Sequence, residues 1–218
     1  MKIYSALYDE FYPFAEMFPE WKCIQVGPED SIEGPGILVI WGGGDIHPSL
    51  YLRDNVNSYV GPQLSQRDQA EAKLFLKALN AGVTVVGVCR GAQIGCALTG
   101  GILIQNVSGH ENTHLITTID GKTFASSSLH HQMMYPWGVD HDLIAWTNYP
   151  KSHIYEGITD TELEKWPKDK VNEKLLIEPE IVWFPTTKCL ALQGHPEMMQ
   201  IDCLYNQYIK TLISEKCQ

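Results

Sequence analysis

The sequence predicts an α/β fold: a doubly wound, mostly parallel sheet flanked by helices, with an antiparallel hairpin region. Three observations carry this expectation. Ile37-Leu38-Val39-Ile40-Trp41 and Val83-Thr84-Val85-Val86 are short, unbroken apolar or β-branched runs, the pattern of strands buried on both faces. Between them lies a helical stretch with Ala70, Leu74 and Ala78 on one stripe and Phe75 and Leu79 beside it. Both strands stop at glycines, Gly42-Gly43-Gly44 in one case and the Gly87-x-Cys89-x-Gly91 core in the other. Strand, glycine loop, helix, strand, sharp turn, helix is the rhythm of a doubly wound sheet. Ligands of such sheets sit beyond the carboxyl ends of the strands, where both glycine stretches fall.

The remaining elements follow in order. Lys2 to Leu7 reads as the opening strand. Pro13 and Pro19 limit any helix in the aromatic stretch Phe11 to Trp21 to a turn or two. Ser65-Gln66-Arg67-Asp68 resembles a capping box with Asp in place of the usual Glu, and Gly82 ends the helix it opens. A helix after Cys89 stops at Thr99-Gly100-Gly101. Ile102 to Val107 and His114 to Ile119 look like strands, and Asp120-Gly121 turns the second back through Lys122 to Ala125. Leu143 to Thr147 is a further strand. Residues 149–179 are charged and weakly periodic and read as a surface excursion. Glu180 to Phe184 and Cys189 to Gln193 read as a late hairpin. The final helix carries an apolar stripe of Met198, Ile201, Leu204, Tyr205, Tyr208, Ile209, Leu212 and Ile213. With no repeat, low-complexity tract or linker, residues 1–218 are expected to form one domain.

Composition narrows the function. Hydrophobic content is 44% and charged content 19%, ordinary for a globular chain. A net charge of −10 argues against a nucleic-acid backbone or an anionic membrane as partner. The six cysteines are scattered without a Cys-x-x-Cys pair, unlike a disulfide framework or a zinc-finger spacing. Asp9 and Glu10 arrive too early for a signal peptide, and no apolar run is long enough to span a bilayer. The default is a soluble protein of a reducing cytoplasm.

Val83 to Gln93 carries the chemistry. A strand that turns sharply into a helix crowds its own backbone, and Gly87 and Gly91 relieve that crowding. The turn is the nucleophile-elbow pattern with Cys89 at its apex. The first free N–H groups of the helix then favour a thiolate at that spot. Taken alone, Cys89 reads equally well as a small core residue at a strand end. A thiol nucleophile needs a base, and the base an orienting partner. His195 and Glu197 stand two apart after a late strand, so on an extended backbone they face the same way. His130 and His131 are adjacent and would point oppositely, which argues against a chelating pair.

Gly87-Val88-Cys89-Arg90-Gly91-Ala92-Gln93 with Gln193-Gly194-His195-Pro196-Glu197 resembles the class I glutamine amidotransferase-like family. Within it, the chain looks most like the free-standing γ-glutamyl-γ-aminobutyrate hydrolase group. Trp41-Gly42-Gly43-Gly44-Asp45 resembles that group's proline-glycine-glycine-x-aspartate loop. Arg67-Asp68-Gln69-Ala70-Glu71 resembles its helix start, and Ser128-Leu129-His130-His131-Gln132 its serine-x-histidine-histidine-glutamine segment. Three departures stand out: Trp41 replaces the usual proline, Gly194 replaces a common aromatic, and the charged stretch 149–179 has no clear counterpart. Two of these changes are expected to line the pocket.

The resemblance implies a flavodoxin-like fold and a Cys89–His195–Glu197 triad that attacks a γ-carboxamide and passes through a γ-glutamyl thioester. It implies an oxyanion site of backbone N–H groups from Gly43 or Gly44 and from Arg90. Gln93, Ser128, His130 and His131 become candidates for holding the glutamyl head group; ordinary hydrogen-bonded loop histidines remain the alternative for the last two. Neither metal nor cofactor is called for. The leading expectation is a stand-alone amidohydrolase for a small γ-glutamyl substrate. The alternative is a glutaminase subunit supplying ammonia to a separate synthetase. A non-catalytic binding module is a third class, disfavoured by the intact triad.

Overall fold

The computed structural model describes residues 1–168 and 176–217. The described strands are β1 (Lys2–Ala6), β2 (Lys22–Val26), β3 (Gly36–Ile40), β4 (Thr84–Val88), β5 (Ile102–Ile104), β6 (Asn106–Val107), β7 (His114–Thr118), β8 (Thr123–Ser126), β9 (Met133–Tyr135), β10 (Asp142–Thr147), β11 (Tyr155–Glu156), β12 (Pro179–Phe184) and β13 (Cys189–Leu192). The helices are α1 (Phe14–Met17), α2 (Gln66–Asn80), α3 (Arg90–Leu98), α4 (Asp160–Lys165) and α5 (Leu204–Lys216).

Nine strands form one sheet in the order β2-β1-β3-β4-β13-β12-β10-β7-β8. The first five are mutually parallel. From β13 outward every pairing is antiparallel. β3, β4 and β13 are buried along their whole length, which is why they read as unbroken apolar runs. The late hairpin pairs Ile181 with Leu192, as the sequence suggests. Two separate apolar clusters lie against the sheet. One joins Leu38, Val85 and Ala191 to Leu74, Phe75 and Ile94; the other joins Ile37, Val86 and Leu190 to Phe14, Tyr205 and Ile209. Helices therefore cover both faces.

Several elements depart from the sequence reading. β2 has no counterpart in it; the strand is mostly exposed because it lies at the sheet edge, so no apolar run announces it. The expected strand Ile102 to Val107 is two strands, β5 pairing with β9 and β6 with β11. The charged excursion contains α4, held by a capping box between Thr159 and Glu162, with no buried residue to give it a stripe. Residues 169–175 of that excursion lie outside the described residues. The last helix begins only at Leu204, after the N-cap Cys203. Met198 belongs instead to a single 3₁₀ turn, and its side chain is exposed.

Candidate active site

β4 ends at Val88, and Cys89 takes φ 50° and ψ −106° before α3 begins. A non-glycine residue in this region is strained, and the surrounding packing must hold it there. Cys89 N donates to Leu192 O at 2.7 Å, fixing the elbow to β13. The two elbow glycines have the role expected of them. A side chain at Gly91 would collide with the Ile40 carbonyl, and one at Gly87 with the Gly91 carbonyl. The first helical bonds of α3 run from the N–H groups of Ala92 and Gln93 to Cys89 O, so those of Arg90 and Gly91 precede the helical ladder.

His195 follows the neighbouring strand β13. Its Nδ1 lies 2.7 Å from Glu197 Oε1; the contact is made across a 3₁₀ turn at Pro196–Met198, not along the extended backbone the sequence suggested. Nε2 has no hydrogen-bond partner among the described residues. The backbone of His195 is held by Ser127, whose hydroxyl donates to His195 O at 2.6 Å. Burial acts to push the imidazolium down. The Cys89 sulfur and the Glu197 carboxylate outweigh it and raise His195 to about 10. Elsewhere burial is the main cause that pushes thiols up, Cys96 to about 12, and Cys189 also, with the neighbouring Cys96 adding to it.

Gly42 wedges the first glycine loop against both residues. A Cβ there would stand 2.9 Å from His195 Cε1 and 3.5 Å from Cys89 Cβ. Arg67, near the start of α2, holds the loop from behind. Its Nη2 donates to Trp41 O at 3.0 Å and to Gly42 O at 2.9 Å, while its Nε donates to Glu71 at 2.8 Å. In a trans peptide the carbonyl and the following N–H point opposite ways. Capturing Gly42 O therefore turns the N–H of Gly43 away from Arg67. Glu71 and Asp68 both take the buried Arg90 guanidinium, which ties α2 to the elbow. The Arg90 side chain is thus spent on structure.

Cys89, His195, Glu197, Gly42 and Gly43 line one open cavity of about 550 Å³, with Tyr8, Glu10, Trp41, Leu129 and Met198. Gly44 faces a neighbouring cavity of about 270 Å³ with Asp45, Tyr59 and Arg90. Of the two glycines expected to serve an oxyanion, Gly43 lines the cavity that holds Cys89 and Gly44 does not. Trp41 lines the cavity as expected, its indole donating to Ser5 Oγ at 2.8 Å. Gly194 does not: it packs against Ser126, Ser127 and Tyr205, where a side chain would collide.

The sequence candidates for head-group binding lie elsewhere. Gln93 donates to Gln132 O at 3.0 Å, Ser128 to His110 O at 2.6 Å, and His130 Nδ1 lies 2.8 Å from Gln132 O. His131 Nε2 lies 2.8 Å from Asp45 Oδ1. None of the four is among the residues lining the Cys89 cavity. The sequence reading omits Tyr8, Glu10 and Met198. A signal for the first two exists, since they follow the carboxyl end of β1, on the edge of the sheet where the site belongs.

Residues 30–136, with the elbow and the two histidines but not His195 or Glu197, match the model of the Peptidase C26 family. Over 71 residues the chain is 37% identical to YvdE of Lactococcus lactis, described as glutamine amidotransferase-like; this is 33% of the chain and 30% of that protein. Over 167 residues it is 28% identical to the glutamine amidotransferase candidate Rv2859c of Mycobacterium tuberculosis, covering 73% of the chain and 50% of the relative. These matches make the chain similar to class I glutamine amidotransferase-like proteins. Its matches span half or less of the length of those curated relatives. The fold of this amidotransferase-like chain is shared with a candidate GMP synthase subunit from Thermoplasma acidophilum, at TM-score 0.63 and 14% identity, covering 100% of this chain and 94% of that one. A glutamine amidotransferase from Thermotoga maritima superposes at TM-score 0.55 and 11% identity, covering 99% and 85%. At these identities the likeness is one of fold. No described helix of the chain is long and apolar enough to cross a membrane.

Proposed function

We propose that the chain is a cysteine-dependent amidohydrolase that cleaves a γ-glutamyl amide, either glutamine or a γ-glutamyl amine. One observation carries the reading. The strained Cys89 and the Glu197-bound His195 line the same cavity, with a glycine loop packed against both. The Cys89 thiolate attacks the γ-carbonyl, forming the S–C bond. The negative charge moves to the carbonyl oxygen, facing the N–H groups of Gly43 and Arg90. His195 then gives its proton to the departing nitrogen, the C–N bond breaks, and a γ-glutamyl thioester remains on Cys89. Water, deprotonated by His195, hydrolyses the thioester and restores the thiolate. Glu197 holds the imidazole throughout. Neither step requires an electron carrier.

The leading substrate reading is the resemblance to the free-standing hydrolase group, with Tyr8 and Trp41 among the residues lining an open cavity. The second reading is ammonia supply to a synthetase. Arg67 favours autonomy, because it fixes the glycine loop from within the chain rather than leaving that to a partner. Ammonia and amine release should be measured on glutamine and on a panel of γ-glutamyl amines with no other protein present. Turnover of a γ-glutamyl amine well above glutamine supports the stand-alone hydrolase. Silence on every substrate, with Cys89 still alkylated by a glutamine-like electrophile, overturns it in favour of the synthetase partner.

A further inference from the structure

Behind the wall that carries Ser127 and Leu129, a second group of polar side chains is buried. His110, His130, Glu180 and Gln193 are 0%, 6%, 1% and 0% exposed. Six of their polar atoms have no hydrogen-bond partner among the described residues: both ring nitrogens of His110, Nε2 of His130, Oε2 of Glu180, and both amide atoms of Gln193. Leaving one such atom dry costs about 1–3 kcal/mol, so unpaired groups of this kind call for a polar occupant. Gln193 N donates to Glu180 O across the β12–β13 hairpin, so the two side chains share a face.

The outer atoms of three of these side chains are already oriented. His130 Nδ1 sits 2.8 Å from Gln132 O, which places its proton there and leaves Nε2 as a bare lone pair. His110 Nε2 stands 3.2 Å from Glu178 Oε2, close though poorly aligned, which leaves Nδ1 as the inner atom, 3.6 Å from Glu180 Oε1. Glu180 Oε1 is held by His114 Nε2 at 2.8 Å, leaving Oε2 free. A carbonyl or carboxylate on the far nitrogen of each histidine, and a donor on the far oxygen of the carboxylate, is how metal ligands are fixed in orientation. One donor atom from each of His110, His130 and Glu180 lies within 4.8 Å of the other two. Ligands of a tetrahedral zinc ion, at about 2.0–2.2 Å from the metal, stand about 3.3 Å apart.

We propose that His110, His130 and Glu180 form a buried site for a divalent transition-metal ion of the zinc type. Two imidazoles and a carboxylate suit such an ion better than magnesium or calcium, which prefer all-oxygen sites. The adjacent His131 turns to Asp45 instead. The partner of His130 is His110, twenty positions earlier, and no local spacing announces it. The ion would be structural. It would pin the segment from Ser127 to Gln132 to β12, next to the strand from which His195 projects. The inference stands whether or not the reaction proposed above is right.

The test uses tag-free chain incubated with zinc chloride, passed over a desalting column with a weak chelator, and analysed for zinc by mass spectrometry. Wild-type chain should retain about one zinc per molecule and melt at a higher temperature than the chelator-stripped form. His130→Asn keeps an N–H for Gln132 O but loses Nε2; Glu180→Gln loses the charge. Each should retain less than about a tenth as much zinc, whereas His47→Ala should retain it all. Should the ligand variants not fold, cobalt(II) is added to wild type instead. Visible ligand-field bands of a nitrogen-ligated, four-coordinate ion support the site; the spectrum of the hydrated ion overturns it. Folded variants that hold as much zinc as wild type, or a wild type that holds none, likewise overturn it and leave the cluster hydrated.

Discussion

Arg67 Nη2 donates to Gly42 O at 2.9 Å, so the loop that packs on Cys89 and His195 is clamped by the first turn of α2. The same guanidinium bonds Trp41 O and Glu71. Only a planar fork with several donors makes this set of bonds at once. Arg67→Ala should lower kcat by about 10- to 100-fold, the scale of a misplacement of about 1 Å, while alkylation of Cys89 persists. Arg67→Lys should not restore the rate. If KM rises at unchanged kcat, Arg67 acts on substrate binding and the clamp is refuted.

Cys89 should be the single site labelled by a glutamine-like electrophile, read by peptide mass mapping. Cys96 and Cys189 are buried in apolar surroundings that push their thiols up, which leaves them protonated. Cys89→Ala should abolish both labelling and turnover. Labelling of that variant at the wild-type level would move the nucleophile elsewhere.

Glu197→Gln should lower kcat by about 10²- to 10⁴-fold with little change in KM, because the carboxylate acts on His195 rather than on substrate. The decisive comparison is the pair of kinetic constants.

The proton on His195 is a measurable quantity. Burial disfavours it, but Cys89 and Glu197 raise the group from 6.5 to about 10. A raised folded-state value means that folding takes up a proton between the two values. The stabilisation is therefore complete below pH 6.5 and is lost as the pH rises through about 10. Cys89→Ala and Glu197→Gln should each lower the imidazole titration point, followed by nuclear magnetic resonance of the histidine ring. An unchanged titration in Cys89→Ala would show that the sulfur does not sense the ring.

Gly91→Ala should cost well over 1 kcal/mol of stability, because its methyl would meet backbone at Ile40 rather than a movable side chain. Gly44→Ala, which has nothing within 4 Å, should change the melting temperature little. Equal effects in the two variants would contradict the packing at the elbow.

What the sequence disclosed depended on how local the determinant was. Cys89, His195 and Glu197 are positioned by short-range geometry, an elbow flanked by glycines and a two-residue spacing, and both can be read from a string of letters. β3, β4 and β13 are buried on both faces, so composition marks them. β2 sits at an edge with Lys22 and Cys23 exposed, and α4 buries none of its residues, so neither carries a periodic signal. Pro196 opens a 3₁₀ turn that places Met198 beside the cavity, although its spacing fits the apolar stripe of α5. Ser128, His130 and His131 lie in a loop, and in a loop nothing local says which side chains turn inward. The bonds to His110 O, Gln132 O and Asp45 are made by residues far away in the chain or hidden in the backbone.

The pairing of β4 with β13 has a consequence for how this protein can change. Val88 lies opposite Leu192 in parallel register, and Cys89 and His195 leave the sheet one and three residues later. Neighbouring strands are about 4.8 Å apart whatever their side chains. The gap between nucleophile and base is thus measured by the sheet, a ruler made of backbone. The glycine loop, Tyr8, Glu10, Leu129 and Met198 are carried on connections that can be rewritten without stretching it. Drift in sequence should therefore retune which amide is accepted long before it unmakes the reaction.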